Sequence, residues 1–138
     1  MTRPSVPSQA DAWWRGAVFN DIIVRNFSDP QFAAELEEAT ASIELGNPVC
    51  GDRIRVQLEV GGGQVRRARY QAWGCATSLA TGNVFCSHIN GRPLEELLRY
   101  TRDEIDAMLG ELEPSQHHCL EMLHGLFNRL KFDPAPAQ

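Results

Sequence analysis

Arg53-Ile54-Arg55-Val56-Gln57-Leu58-Glu59-Val60, then Gly61-Gly62-Gly63-Gln64, then Val65 to Trp73, is the stretch whose pattern decides the fold. Ile54, Val56, Leu58 and Val60 alternate with polar residues, which is period two with one face buried. The glycines supply a turn. The returning segment puts Ala68, Tyr70 and Ala72 on one side and Arg67, Arg69 and Gln71 on the other. This predicts a β-hairpin within a three-stranded antiparallel sheet that has one solvated face, and the arginines are most simply that wet face. Ala39 to Leu45 is the expected first strand.

Outside the hairpin the apolar period becomes helical. Phe19, Ile22, Ile23, Asn26 and Phe27 predict a short amphipathic helix from about Ala17 to Asn26, ended by Asp29-Pro30. Pro30 to Glu38 reads as a connecting loop or a single helical turn. After Cys75, a stripe of Leu79, Cys86 and Ile89 predicts a helix that stops at Asn90-Gly91. Pro93 to Tyr100 is a short helix with proline near its start. Thr101-Arg102-Asp103-Glu104 is a capping box for a helix ending at Gly110. A last helix, about Gln116 to Lys131, has a core stripe of Leu120, Leu123, Phe127 and Leu130. With most helices after the strands, the fold class is α+β, helices packed on one face of the sheet.

With 138 residues and 43% hydrophobic content, one modest domain is expected. It spans residues 17–132, preceded by a loosely docked or disordered segment 1–16 and followed by a flexible tail 133–138. Trp13-Trp14 either docks on the domain, the plainer reading, or anchors a partner protein. A net charge of −5 disfavours nonspecific nucleic-acid binding. No run is long and apolar enough to span a membrane, and Met1 to Ala10 lack the apolar stretch of a secretory signal. The expected setting is the cytoplasm, where the four cysteines, Cys50, Cys75, Cys86 and Cys119, are more often ligands, nucleophiles or buried residues than disulfide partners.

Three thiols stand at element borders. Cys50 lies in the Asn47-Pro48-Val49-Cys50-Gly51-Asp52 turn before the hairpin, and along an extended segment Cys50 and Asp52 project to the same side. Cys75 follows Gly74 at a strand-to-helix junction. Cys119, preceded by His118, falls in the first turn of the last helix. Thiols at helix N-termini feel the positive end of the helix dipole, which favours thiolate, the form that binds metals and attacks electrophiles. Each residue alone is more simply a packed or surface side chain, and no compact C-x-x-C or H-x-x-x-H spacing is present. Cys86 reads as a buried apolar residue, His117 as solvent-facing although it competes with His118 as a ligand, and His88 and His124 as structural.

Asn47-Pro48-Val49-Cys50-Gly51-Asp52, Gly74-Cys75-Ala76-Thr77-Ser78, Asn90-Gly91-Arg92-Pro93-Leu94 and His118-Cys119 occur in the order and separation of one family. From about Phe19 to Lys131 the chain resembles the IscU/NifU-type iron–sulfur cluster assembly scaffolds. The resemblance implies that Cys50, Asp52, Cys75, His118 and Cys119 form the cluster and metal site, with Asp52 or His118 in the fourth ligand place. It implies a transient [2Fe-2S] cluster built from iron, an iron donor, a cysteine desulfurase as sulfur source and recipient apoproteins. It further implies a persulfide on a scaffold thiol, Cys119 before Cys50. Scaffolds served by a dedicated Hsp70-type chaperone carry Leu-Pro-Pro-Val-Lys before the His-Cys pair. Here Leu112-Glu113-Pro114-Ser115-Gln116 keeps only the leucine and one proline, which argues against that chaperone.

The expected role is therefore a scaffold and carrier rather than an enzyme. Zinc, which accepts three thiolates plus Asp52 or His118, also suits the isolated protein. The alternative is a SufU-like zinc-dependent persulfide sulfurtransferase. The longer insertion between the second and third cysteines, and the upstream arginine of that branch, are not evident here. A third reading is a purely structural zinc module.

Overall fold

The computed structural model describes residues 20–47, 51–132 and 135–136. The elements run α1 (Asp21–Ser28), β1 (Ala41–Asn47), β2 (Asp52–Gly61), β3 (Gln64–Trp73), α2 (Ala76–Ile89), β4 (Arg92–Pro93), α3 (Leu94–Leu97), α4 (Arg102–Leu109), a 3-10 turn (Pro114–Gln116), α5 (His117–Phe132) and β5 (Ala135–Pro136). The class is α+β, as expected. Among the described residues no helix is long and apolar enough to cross a membrane.

The hairpin is as the alternation predicts. β2 and β3 pair antiparallel with Ile54 opposite Ala72, Val56 opposite Tyr70 and Leu58 opposite Ala68. Ile54, Val56 and Leu58 are fully buried. A bulge between Glu59 and Val60 adds the local twist that such irregularities bring. β1 pairs with β2 on the other side, Ile43 opposite Val56 and Asn47 opposite Asp52.

The sheet is wider than the three strands expected. Its order is β4-β3-β2-β1-β5, the outermost strands having two residues each. β4 exists because the turn after α2 is tied to the hairpin tip: Gly91 N–H donates to the Val65 carbonyl at 2.7 Å and Leu94 N–H to that of Gly63 at 2.8 Å. β5 pairs with Ala41 and Ser42 of β1, with proline at a sheet edge where its missing N–H costs no ladder bond. The expectations for residues 1–16, and for the tail beyond Ala135–Pro136, lie outside the described residues.

The second face of the sheet is only partly wet. Arg53 lies 4.2 Å over the Trp73 ring, and Arg67 Nε reaches Glu59 at 2.6 Å. The segment after α1 crosses this face. Ala33 bridges Tyr70 in parallel, then Leu36 covers Gln57 and its N–H donates to Gln57 Oε1 at 2.9 Å. Both Leu36 and Gln57 are buried.

On the other face lie the helices. α2 is buried almost all round from Thr77 to Cys86, because the sheet is on one side and α1, α4 and α5 pack on the others. Cys86 and Ile89 are fully buried, while Leu79 is partly exposed. Two polar residues of α2 have internal partners: Thr81 Oγ1 donates to the Thr77 carbonyl, and Asn83 accepts from Phe32 N–H and donates to Asn26. Phe85, Phe127 and Tyr100 pack edge to face, a favourable arrangement for ring quadrupoles. The Thr101–Glu104 capping box forms as read, with Gly110 closing α4 at φ 73°. α5 packs its Leu123, Leu126, Phe127 and Leu130 face into the core.

Gly82 sets how closely α2 approaches the sheet. A Cβ there would lie 2.4 Å from Tyr70 Cδ2, so G82A must push helix and strand apart. We expect that variant to lose about 1–3 kcal/mol, read from denaturant melts of the metal-free protein.

Burial holds the Tyr70 hydroxyl and the Cys86 thiol protonated well above their ordinary values of 10.0 and 9.0. The unfolded chain ionises at those ordinary values, so the share of stability that rests on these two groups is whole below about pH 9 and is lost as pH rises beyond it. Urea midpoints should fall on the alkaline side, and C86A should flatten the first part of that fall.

Candidate metal centre

Three element ends carry the site. Asp52 opens β2 on the same face as Ile54 and Val56, so its carboxylate points toward the helices. Cys75 follows β3 and is the N-cap residue of α2, with no side-chain cap bond of its own. His118 and Cys119 stand in the first turn of α5, entered through the 3-10 turn.

Gly74 joins these ends. Its φ is +131°, a region that disfavours side chains, and a Cβ there would fall 2.1 Å from Asp52 Oδ1. The glycine leaves room for the carboxylate to lean against the chain, where Cys75 N–H donates to Oδ1 at 3.3 Å. The other oxygen, Oδ2, lies 2.8 Å from His118 Nε2 and 3.5 Å from Cys75 Sγ. Cys119 Sγ is 3.4 Å from His118 Nε2 and 4.0 Å from Cys75 Sγ.

One ligand atom from each of Asp52, Cys75, His118 and Cys119 falls within 4.8 Å of every other. Tetrahedral coordination with bonds of about 2.0–2.3 Å separates neighbouring ligand atoms by about 3.3–3.8 Å. The donor set and spacing thus suit a tetrahedral ion after small side-chain shifts. Asp52 and Cys119 are buried, His118 is partly exposed and Cys75 is exposed, so the centre opens to solvent on one side. Cys50, the remaining sequence-derived candidate, lies outside the described residues.

The electrostatics separate the two thiols. Cys75 is brought down to about 5, first by the hydrogen bond from the Cys119 thiol and then by Ser78, against burial and the Asp52 charge. Cys119 is pushed up, first by holding its proton toward Cys75 and then by burial. Burial raises Asp52, but hydrogen bonds from Ser78, His118 and Cys75 outweigh it and its carboxyl lies below the usual range. Burial lowers His118, yet its bonds to Asp52 and Cys75 win and hold it above its ordinary value. Metal-free, the centre is therefore a thiolate beside a thiol and a carboxylate beside an imidazole that favours its proton.

The other histidines are elsewhere. His117 is exposed; His88 lies edge-on to Tyr100 at 6.4 Å; His124 bonds Asp106 at 2.6 Å across α4 and α5. Sequence reasoning assigned no role to Ser78, whose buried Oγ donates to Asp52 Oδ2 at 2.7 Å. A signal was available: Ser78 is three residues after Cys75, and that spacing on a helix gives one face.

The family model described as NifU-like N terminal domain matches residues 18–128. Iron-sulfur cluster assembly scaffold protein IscU 1 of Archaeoglobus fulgidus is 28% identical over 116 residues, covering 84% of this chain and 76% of that protein. The zinc-dependent sulfurtransferase SufU of Bacillus subtilis is 27% identical over 94 residues, covering 68% and 63%. A crystal structure of a nitrogen-fixing NifU-like protein (N-terminal) from Brucella abortus superposes with a TM-score of 0.57 at 22% identity, covering 85% of this chain and 88% of that one. A NifU-like fold, a NifU-like sequence over residues 18–128 and a thiol-carboxylate-imidazole cluster at its element ends coincide in one chain, which belongs to the NifU-like N-terminal domain family.

Proposed function

We propose that this chain is a cytoplasmic scaffold on which iron and sulfur are assembled into a transient [2Fe-2S] cluster for transfer to apoproteins. The observation that carries this is the convergence of Asp52, Cys75, His118 and Cys119 at an opening in the surface. Two bridged irons need four protein ligands. Cys75 and Cys119 supply strong thiolate donors, Cys50 is the third that the family resemblance implies, and Asp52 or His118 is the fourth. A carboxylate or imidazole is the more readily exchanged donor, which favours release of the finished cluster. A persulfide on a cysteine desulfurase is the sulfur source. Its sulfane sulfur takes up two electrons from an external reductant on becoming bridging sulfide.

Cys119 as the sulfur acceptor carries a condition: in the metal-free chain it is buried and protonated, whereas Cys75 is exposed and favours thiolate. The start of α5 must open before Cys119 receives sulfur. The SufU-like reading has its own supporting observation, since Asp52, Cys75, His118 and Cys119 complete a tetrahedral zinc set. Zinc bound there would hold both sulfurs as thiolates. Zinc-dependent stimulation of desulfurase turnover would favour that reading over the scaffold.

Anaerobic incubation with iron, cysteine and a desulfurase should give the visible absorption and Mössbauer spectrum of a [2Fe-2S] centre. C75S and C119S should stay folded and lose at least about tenfold in cluster yield. Tight zinc retention without cluster formation would overturn the scaffold assignment.

Iodoacetamide should modify Cys75 of the metal-free protein well before Cys119, as mapped by mass spectrometry. Thiolate is the reacting form, so the Cys75 rate should hold through the neutral range and drop as pH falls through about 5.

A further inference from the structure

Ser78 is the one hydroxyl built into the floor of the centre among the described residues. It is fully buried, one turn into α2 from Cys75. Its Oγ is 2.7 Å from Asp52 Oδ2, 3.4 Å from Cys119 Sγ and 3.5 Å from Cys75 Sγ. Three of the four candidate donor atoms therefore surround a single hydroxyl, and its position is set by a helix backbone rather than by a mobile loop.

A hydroxyl has one hydrogen to give. In the metal-free chain the short contact to Asp52 takes it, and the two sulfurs stand at 3.4 and 3.5 Å from the same oxygen. Once both sulfurs are thiolate ligands they are acceptors too, and that hydrogen can stay with the carboxylate or turn to a sulfur without Ser78 changing place. Partners of this kind fix the orientation of metal-binding side chains and tune the electron density on them. Hydrogen bonds to ligating sulfurs also shift the properties of the bound centre.

We propose that Ser78 is a positioning residue for this centre: its single hydroxyl hydrogen, given to Asp52 or to one ligating sulfur, holds the donor cluster in place for whatever ion or cluster is loaded. This rests on the metal-centre reading above and adds a residue to it. Ser78 binds no metal itself.

The test uses the full chain with zinc and with cobalt(II), whose thiolate charge-transfer bands report the sulfur environment. S78A removes the hydroxyl; S78T keeps it, and S78V matches S78T in shape without it. S78A and S78V should bind zinc about 10- to 100-fold more weakly in chelator competition. Their cobalt charge-transfer bands should move, while S78T stays close to the native spectrum and affinity. Native-like zinc affinity and cobalt bands in S78A would overturn the role of Ser78 while leaving the centre intact. Equal behaviour of S78T and S78V would also overturn it, by showing that shape rather than the hydroxyl matters. Loss of the metal-free fold in S78A and S78V alike would make Ser78 a packing residue and overturn it too. Failure of the native chain to bind either metal would remove the metal centre, and this inference with it.

Discussion

The close contact of Gly82 with the Tyr70 ring fixes how deep α2 sits on the sheet, and the candidate centre depends on that depth. Cys75 and Ser78 belong to the start of this helix, while Asp52 belongs to the strand beneath it. A helix held farther from the sheet would draw both side chains away from the carboxylate. The core is thus a positioning device, and the apolar burial along β2 and β3 supplies the rigidity that loops alone would lack. α5 completes the arrangement by packing its apolar face on α2 and β1, which brings Cys119 to within 4.0 Å of Cys75.

The charge arrangement follows from where those ends meet. A buried carboxylate is costly unless hydrogen bonds compensate. Asp52 collects them from Ser78, Cys75 N–H and His118. The two sulfurs share one proton between them, so the pair carries a single negative charge rather than two neighbouring ones. A bound cation would relieve the remaining repulsion between thiolate and carboxylate, which is the physical reason such a cluster attracts metals.

Much of this was legible in the residues. Alternation in Ile54, Val56 and Leu58 gave the hairpin, Thr101 and Glu104 gave a helix start, and the thiols at element borders drew attention to the right ends. Less was legible where tertiary contacts override local pattern. Leu36 shelters Gln57 on a face that reads as wet, because the segment after α1 crosses it. α2 carries Thr77, Thr81 and Asn83 and shows only the narrow stripe of Leu79, Cys86 and Ile89, yet it is enclosed, with Thr81 and Asn83 bonded internally. Two-residue strands such as β4 leave no periodicity to read. Ser78 lies one turn beyond Cys75 in a legible motif, but a serine in a helix stands out only once three ligand atoms are seen around it.

Cys75 is at once an exposed thiol and the cap of the most enclosed helix. Whatever occupies the sulfur acts on the end of α2, where the first-turn amides have no intrahelical acceptor. Cargo that prefers the ordered helix start stabilises it in proportion to its binding, and cargo departure gives that stability back. Occupancy is thereby transmitted into the centre of the molecule, so a loaded and an emptied chain should differ in rigidity well beyond the few atoms that touch the cargo.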